Sequence, residues 1–303
     1  MNYEPLLERD ERGIREALRD VRRDHTSEEL FRRVARFAVL AYSPSQHSKH
    51  AMIACLSAWE VRDRLGGRFD DLLAECAIYA AASRQPWSEP PLTDPPAIDD
   101  DQPGDLDSLR ASDRLAAERW LAKRYRDPDF ARDLFTVACD DFEDLGHKLI
   151  VAVTAWKLAA IFGEQGSYAT LRTAIWEIGA YGGPRYEERG RLADERAVTG
   201  AMVAADGDVV AAHAVFLLDA ALQTGDDRIV RRVRDYLGSN GAPAEAREPV
   251  FRTDELPVYR LARDYGAYLK SWAVAERLGD PRIAGAAKFN LDHAPSFEDF
   301  TLA

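Results

Sequence analysis

The segment HAMIACLSAWEVRDRLG, residues 50–66, and the segment HKLIVAVTAWKLAAIFG, residues 147–163, align without a gap. Both open with a histidine (His50, His147). Both then carry an isoleucine (Ile53, Ile150), a hydroxyl (Ser57, Thr154), an alanine (Ala58, Ala155), a tryptophan (Trp59, Trp156) and a closing glycine (Gly66, Gly163). Apolar residues recur in them at helical spacing and never alternate in pairs, so both segments are expected to be helices. A shorter helix follows each. A degenerate third copy is expected around Trp272, with Ser271 before it, Gly279 after it and Arg263 in the histidine's place. Repeated helical hairpins stack and bury each other's apolar faces. The expected fold is therefore all-α, with stacked helical hairpins around a central pocket.

Helix geometry separates the histidines from the tryptophans. Nine residues at about 100° each turn through about 900°, so His50 and Trp59 point to opposite sides, as do His147 and Trp156. The tryptophan side, with Met52 and Leu56 or Leu149 and Val153, is expected to be core. The histidine side carries small or hydroxylic residues, Ala54 and Ser57 or Val151 and Thr154, and is expected to line the pocket. A buried imidazole needs a partner or a ligand.

Further helices extend outward from this repeat. Leu7, Ile14, Leu18 and Val21 form a stripe on a first helix. Thr26 and Glu29 have the spacing of a capping box, opening a second helix with Leu30, Phe31, Val34 and Phe37 on its buried face. Ser43-Pro44 predicts a third start, running to Gly66-Gly67. Helices are also expected over 69–82, from about 107, from Asp127-Pro128 towards Gly146, and over 147–162, 167–180, 192–204, 208–224, 226–237 and 254–278, with a short one after Pro281. Residues 84–107 hold six of the fifteen prolines and three consecutive aspartates. That stretch is expected to be a linker or a surface loop between the repeat-containing halves of one helical domain.

Of the 303 residues, 46% are hydrophobic and 30% charged, the balance of a globular chain, and the net charge is −12. An acidic chain is not expected to bind nucleic acid or an anionic membrane surface. The three cysteines, Cys55, Cys76 and Cys139, are odd in number and far apart, which fits a reducing cytoplasm. The N-terminus has no apolar signal core, and the apolar stretch 149–162 is too short to span a bilayer.

Two motifs at the matching helix starts carry possible chemistry, His47-x-x-His50 and Asp144-x-x-His147. Spacing of three residues puts each pair on one helix face. Packed side by side, His47, His50, Asp144 and His147 form a candidate set for iron, manganese or zinc, while Asp144 can also serve as a helix cap. The string DDFED, with Asp140, Asp141, Glu143 and Asp144, matches the DDxxD motif by which terpenoid and prenyl synthases hold magnesium diphosphate. A second magnesium motif and an adjacent basic cluster are missing, which makes a solvated acidic patch the simpler reading. No Rossmann glycine motif, phosphate loop, nucleophile elbow or zinc-protease motif is present, so a flavin or nicotinamide of the usual kind is not expected.

The two histidine segments, and GDVVAAHAVFLLDAALQTGDDRIV beginning at Gly207, resemble helices of the questin oxidase-like family at motif level over about residues 44–240. That family tends to carry a histidine at the position of Val209, and here His213 lies one turn later. The resemblance implies an oxidoreductase of aromatic polyketide metabolism, opening a ring of an anthraquinone-like substrate in the Baeyer–Villiger manner. In the mechanism this predicts, His50 and His147 act as general bases on a phenol or hydroquinone. The anion then reacts with dioxygen directly or through a bound non-haem metal. Ser57, Thr154, Tyr42, Trp176 and Tyr181 are expected to contact the flat ring of a small aromatic substrate. Two other functions compete with this one, a helical-repeat scaffold and a magnesium-dependent terpenoid synthase using DDFED.

Overall fold

The computed structural model describes residues 10–42, 49–83, 106–110, 114–180, 182–204, 209–240 and 261–293, and all regular structure among them is helical. The chain divides into two compact units, Met1–Pro184 and Arg185–Ala303. Both aligned histidine segments fall in the first. Most of the proline-rich stretch, residues 84–105, lies outside the described residues, as do His47 and Tyr181.

The first unit contains α1 (Glu11–Asp24), α2 (Ser27–Leu40), α3 (Lys49–Glu60), α4 (Arg62–Leu65), α5 (Arg68–Ser83), α6 (Leu106–Arg110), α7 (Arg114–Arg124), α8 (Phe130–Ala138), α9 (His147–Phe162) and α10 (Glu164–Ala180). Local signals set several of these boundaries. The capping box opening α2 is formed, with Thr26 Oγ1 accepting from the Glu29 N–H at 3.2 Å and Glu29 Oε2 accepting from the Thr26 N–H at 2.9 Å. Such a cap contributes about 1 kcal/mol. Gly163, at φ 71°, closes α9 in a conformation that costs glycine little.

Two expected helices end well before the sequence implied. The one running to Gly66 breaks at Val61 into α3 and α4. The one expected to reach Gly146 stops at Ala138. Beyond it, Asp144, Leu145 and Gly146 all take positive φ (51°, 59° and 82°) and reverse the chain into α9. A continuing helix would have gathered the DDFED carboxylates at its C-terminus, where the dipole opposes them. The turn instead sends them towards separate partners.

Within this unit α2, α3 and α5 pack against one another, and α1 lies on α5. The helix α9 packs on α10, α8 and α3, while α10 also meets α7 and α2. Phe31, Met52, Ile53, Leu56, Leu73, Trp120, Leu149 and Val151 are fully or almost fully buried here. Burying such a side chain contributes about 1.5–3 kcal/mol. By length and composition the run Asp144–Phe162 is enough to cross a membrane, longer than the 149–162 stretch suggested, but 72% of its apolar window is buried inside the protein. It is a core helix.

The tryptophan sides are core as expected at Met52, Leu56, Leu149 and Val153, each 2% exposed or less, but not at the tryptophans themselves. Trp156 is 37% exposed, with its ring edge-on to Phe135 at 5.6 Å. Trp59 is half-buried, stacked on Phe31 at 4.4 Å and covered by the Arg62 guanidinium at 4.0 Å. The two tryptophan environments are not equivalent. Helices that are apolar all round are buried on both faces, and here the tryptophan ends reach the boundary. An indole, apolar in body and polar at one edge, tolerates the boundary.

The second unit contains α11 (Glu195–Ala204), α12 (Val209–Thr224), α13 (Asp227–Ser239), α14 (Leu261–Arg277) and α15 (Pro281–His293). Here α12 packs on α11, α13 and α14, and α14 pairs with α15. Asp219, buried on α12, is paired with Lys270 at 2.7 Å and with Arg277. Asp235 on α13 clasps the irregular segment before α11, accepting from the Tyr186 hydroxyl at 2.6 Å and the Arg189 and Arg191 N–H groups at 2.7 and 2.8 Å. His213 and Trp272 are buried in this unit.

Candidate functional site

Packing of α9 on α3 brings the two aligned histidines into contact. His50 and His147 are 7% and 3% exposed, their rings meet edge to face at 74°, and their Nε2 atoms lie 3.1 Å apart. At that distance one hydrogen must lie between the two nitrogens. Which ring carries it follows from the other side of His147. There Nδ1 faces two acceptors of Asp144, the backbone oxygen at 2.5 Å and the carboxylate Oδ2 at 3.1 Å. Nδ1 therefore holds a hydrogen, and in the neutral ring Nε2 holds the lone pair that accepts from His50.

Asp144 is part of a longer chain. Lys49, the residue before His50, is 4% exposed and donates its ammonium to Asp144 Oδ2 at 2.5 Å and to Glu177 Oε1 at 2.9 Å. Glu177 on α10 is fully buried, and its other oxygen accepts the Tyr42 hydroxyl. Burial works against the Lys49 charge, but Glu177 and Asp144 outweigh it and hold its pKa above the ordinary lysine value. The His147 hydrogen bond, with help from Lys49, holds the Asp144 carboxyl well below the usual carboxylate range, against the effect of burial. Asp144 is thus the orienting partner of His147 and not a helix cap. The residue in the cap position of α9 is Gly146, which has no side chain to bond.

Of the expected metal set, His47 lies outside the described residues. Asp144 addresses Nδ1 of His147 and His50 addresses Nε2, on opposite sides of the ring. Asp144, His147 and Glu177 bring ligand atoms within 4.8 Å of one another. The Lys49 ammonium bonds both of those carboxylates and supplies the cation there.

The remaining acidic residues of DDFED do not form a solvated patch. Asp140 pairs with Arg110 at 2.6 Å, and Asp141, 8% exposed, pairs with Lys148 at 2.7 Å. Asp140 and Asp141 each have their own basic partner, from α6 and α9, while Glu143 is exposed.

The expected substrate contacts are spread out. Ser57 and Thr154 lie on the histidine faces of α3 and α9, both buried, and the Ser57 hydroxyl donates back to the Ile53 carbonyl at 2.8 Å. Tyr42 braces Glu177. Trp176 donates its indole N–H to Glu118 at 2.6 Å, under the guanidinium of Arg172, which bonds the same carboxylate at 2.9 Å. Beside this group burial pushes the Tyr168 hydroxyl up to about 12.

Lys49 and Glu177 were not singled out from the sequence. The signal was present: Lys49 stands between two histidines, and Glu177 interrupts the apolar run Ile175, Trp176, Ile178. A charge inside an apolar helix marks a buried pair.

No family model, curated protein or solved structure matches the chain.

Proposed function

We propose that this protein is a cytoplasmic oxidoreductase that uses the Asp144–His147–His50 array as a general base on a small aromatic phenol or hydroquinone. One observation carries the reading: two buried imidazoles share a hydrogen at 3.1 Å while a carboxylate bonded by His147 and by Lys49 orients the second ring. That is a proton acceptor with its orienting group in place. A scaffold would leave its histidines satisfied by solvent, whereas these satisfy each other inside the protein. A magnesium site at DDFED needs converging carboxylates, whereas Asp140, Asp141 and Asp144 bond three different basic residues.

The substrate class comes from the resemblance of the histidine helices to the questin oxidase-like family. The array takes the phenolic proton, and the electron-rich anion is oxidised by dioxygen as co-reactant. The test is oxygen consumption with hydroxyanthraquinones as substrates. Wild type is expected to consume oxygen in step with loss of the quinone absorption band. His147→Ala is expected to lose about 10²–10⁴-fold in rate with its helical circular dichroism retained. Equal rates in the two proteins would end the general-base reading.

A further inference from the structure

We infer that Lys49 is a positioning residue, whose buried ammonium tethers the Asp144 carboxylate to the Nδ1 edge of His147, with Glu177 and Tyr42 as its anchor. The inference deepens the general-base reading and rests on it for its meaning, but it is carried by contacts of its own.

Asp144 is not held by its surroundings. Its side chain is 32% exposed, it opens the single irregular 3-10 turn Asp144–Gly146 before α9, and its backbone has φ 51°, in the left-handed region. A carboxylate so placed has water within reach and gains little from turning inward unless a charge holds it there. Lys49 supplies that charge from the inner side, with its own side chain 5% exposed. Its stem leaves α3 one residue before His50, so the helix that presents one imidazole also fixes the orienting carboxylate of the other.

A buried ammonium needs more than a half-exposed partner. Glu177 is that second partner: 0% exposed on α10, it takes Lys49 on one oxygen and the Tyr42 hydroxyl on the other. The order of dependence runs from Tyr42 and Glu177 to Lys49, then to Asp144, then to the His147 ring. Only the last two bear on the proton directly. Remove Lys49 and the carboxylate is free to swing towards water, leaving Nδ1 with the Asp144 backbone oxygen alone.

The readout is the Nδ1 proton resonance of His147. A hydrogen bond to an ionised carboxylate moves such a proton well downfield, and loss of the signal in His147→Gln assigns it. Wild type is expected to show the resonance, and Asp144→Asn to lose it. Lys49→Met alone leaves Glu177 buried without its cation and risks unfolding, so the informative variant is the double Lys49→Met/Glu177→Gln, which removes one charge of each sign. It is expected to fold and to lose the downfield signal, while Lys49→Arg keeps it. A double variant with an unchanged resonance, or a wild type without one, overturns the inference. Oxygen consumption is read separately, with a fall of about tenfold or more in kcat expected for the double variant at unchanged KM. Loss of the resonance in a protein that never consumes oxygen leaves Lys49 as a positioning residue and removes the proposed reaction instead.

Discussion

The Nε2 atoms of His50 and His147 are 3.1 Å apart, although 97 residues separate them in the chain. Each occupies the first turn of its helix, and α3 and α9 pack so that the two starts meet. One shared hydrogen couples the rings, so neither histidine should behave independently of the other.

That coupling is measurable by urea denaturation of His50→Ala, His147→Ala and the double variant. Each single change leaves the other imidazole without this partner and is expected to cost about 1–3 kcal/mol. The double is expected to cost less than the sum, with an interaction of about 0.5–3 kcal/mol. Strict additivity would mean that the rings touch without exchanging a hydrogen bond.

The tryptophans should rank by position rather than by sequence equivalence. Trp120 is 1% exposed and packed on Phe130, while Trp156 is 37% exposed. Replacing Trp120 by Ala is expected to cost about 3–5 kcal/mol. Trp156→Ala should cost well under half of that, and its indole should be the more readily quenched by iodide. Equal losses in thermal melts would show Trp156 to be as much a core residue as Trp120.

Asp235 predicts a pH dependence in the second unit. Burial raises its pKa, but the Tyr186 hydroxyl and the N–H groups of Arg189 and Arg191 outweigh it, and the folded value lies below that of an ordinary aspartate. A depressed carboxyl contributes stability that is complete above the unfolded value, about 3.9, and is lost as pH falls through the folded one. Asp235→Asn should therefore be less stable than wild type at pH 7, with the gap closing below about pH 4. A gap that is constant with pH would show the carboxylate charge to be irrelevant to the clasp.

Gly238 tests the same clasp sterically. A Cβ there would lie 2.0 Å from the Arg191 carbonyl oxygen and 2.8 Å from the Ala193 nitrogen, both backbone atoms with no freedom to give way. Gly238→Ala is expected to destabilise by about 1–3 kcal/mol and to raise amide exchange across residues 186–193. Unaltered exchange would mean that the segment shifts without loosening.

Much of the fold was legible in local signals. The helical spacing of α9 predicted His147–Phe162 to the residue, and Thr26 with Glu29 marked the start of α2. These succeed because hydrogen bonds three or four residues apart decide a helix and its cap. The break at Val61 and the stop at Ala138 were not legible. Nothing in the apolar pattern ends there, and the reversal through Asp144, Leu145 and Gly146 places two non-glycine residues at positive φ, which only the surrounding contacts maintain.

By itself the sequence determined that the chain is helical, where most of its helices lie, and that His50 and His147 occupy matching positions. Periodicity and capping are properties of a few adjacent residues, so they can be read without neighbours from elsewhere in the chain. Only the tertiary structure decided that the two imidazoles meet and that Lys49 and Glu177 stand behind them. The physical reason lies in α9 and α3: both are apolar on every side, and which residues of such helices meet is decided by the helix that packs against them. A buried charge has no meaning in sequence until its partner is known, and the partners of Lys49 lie 95 and 128 residues away.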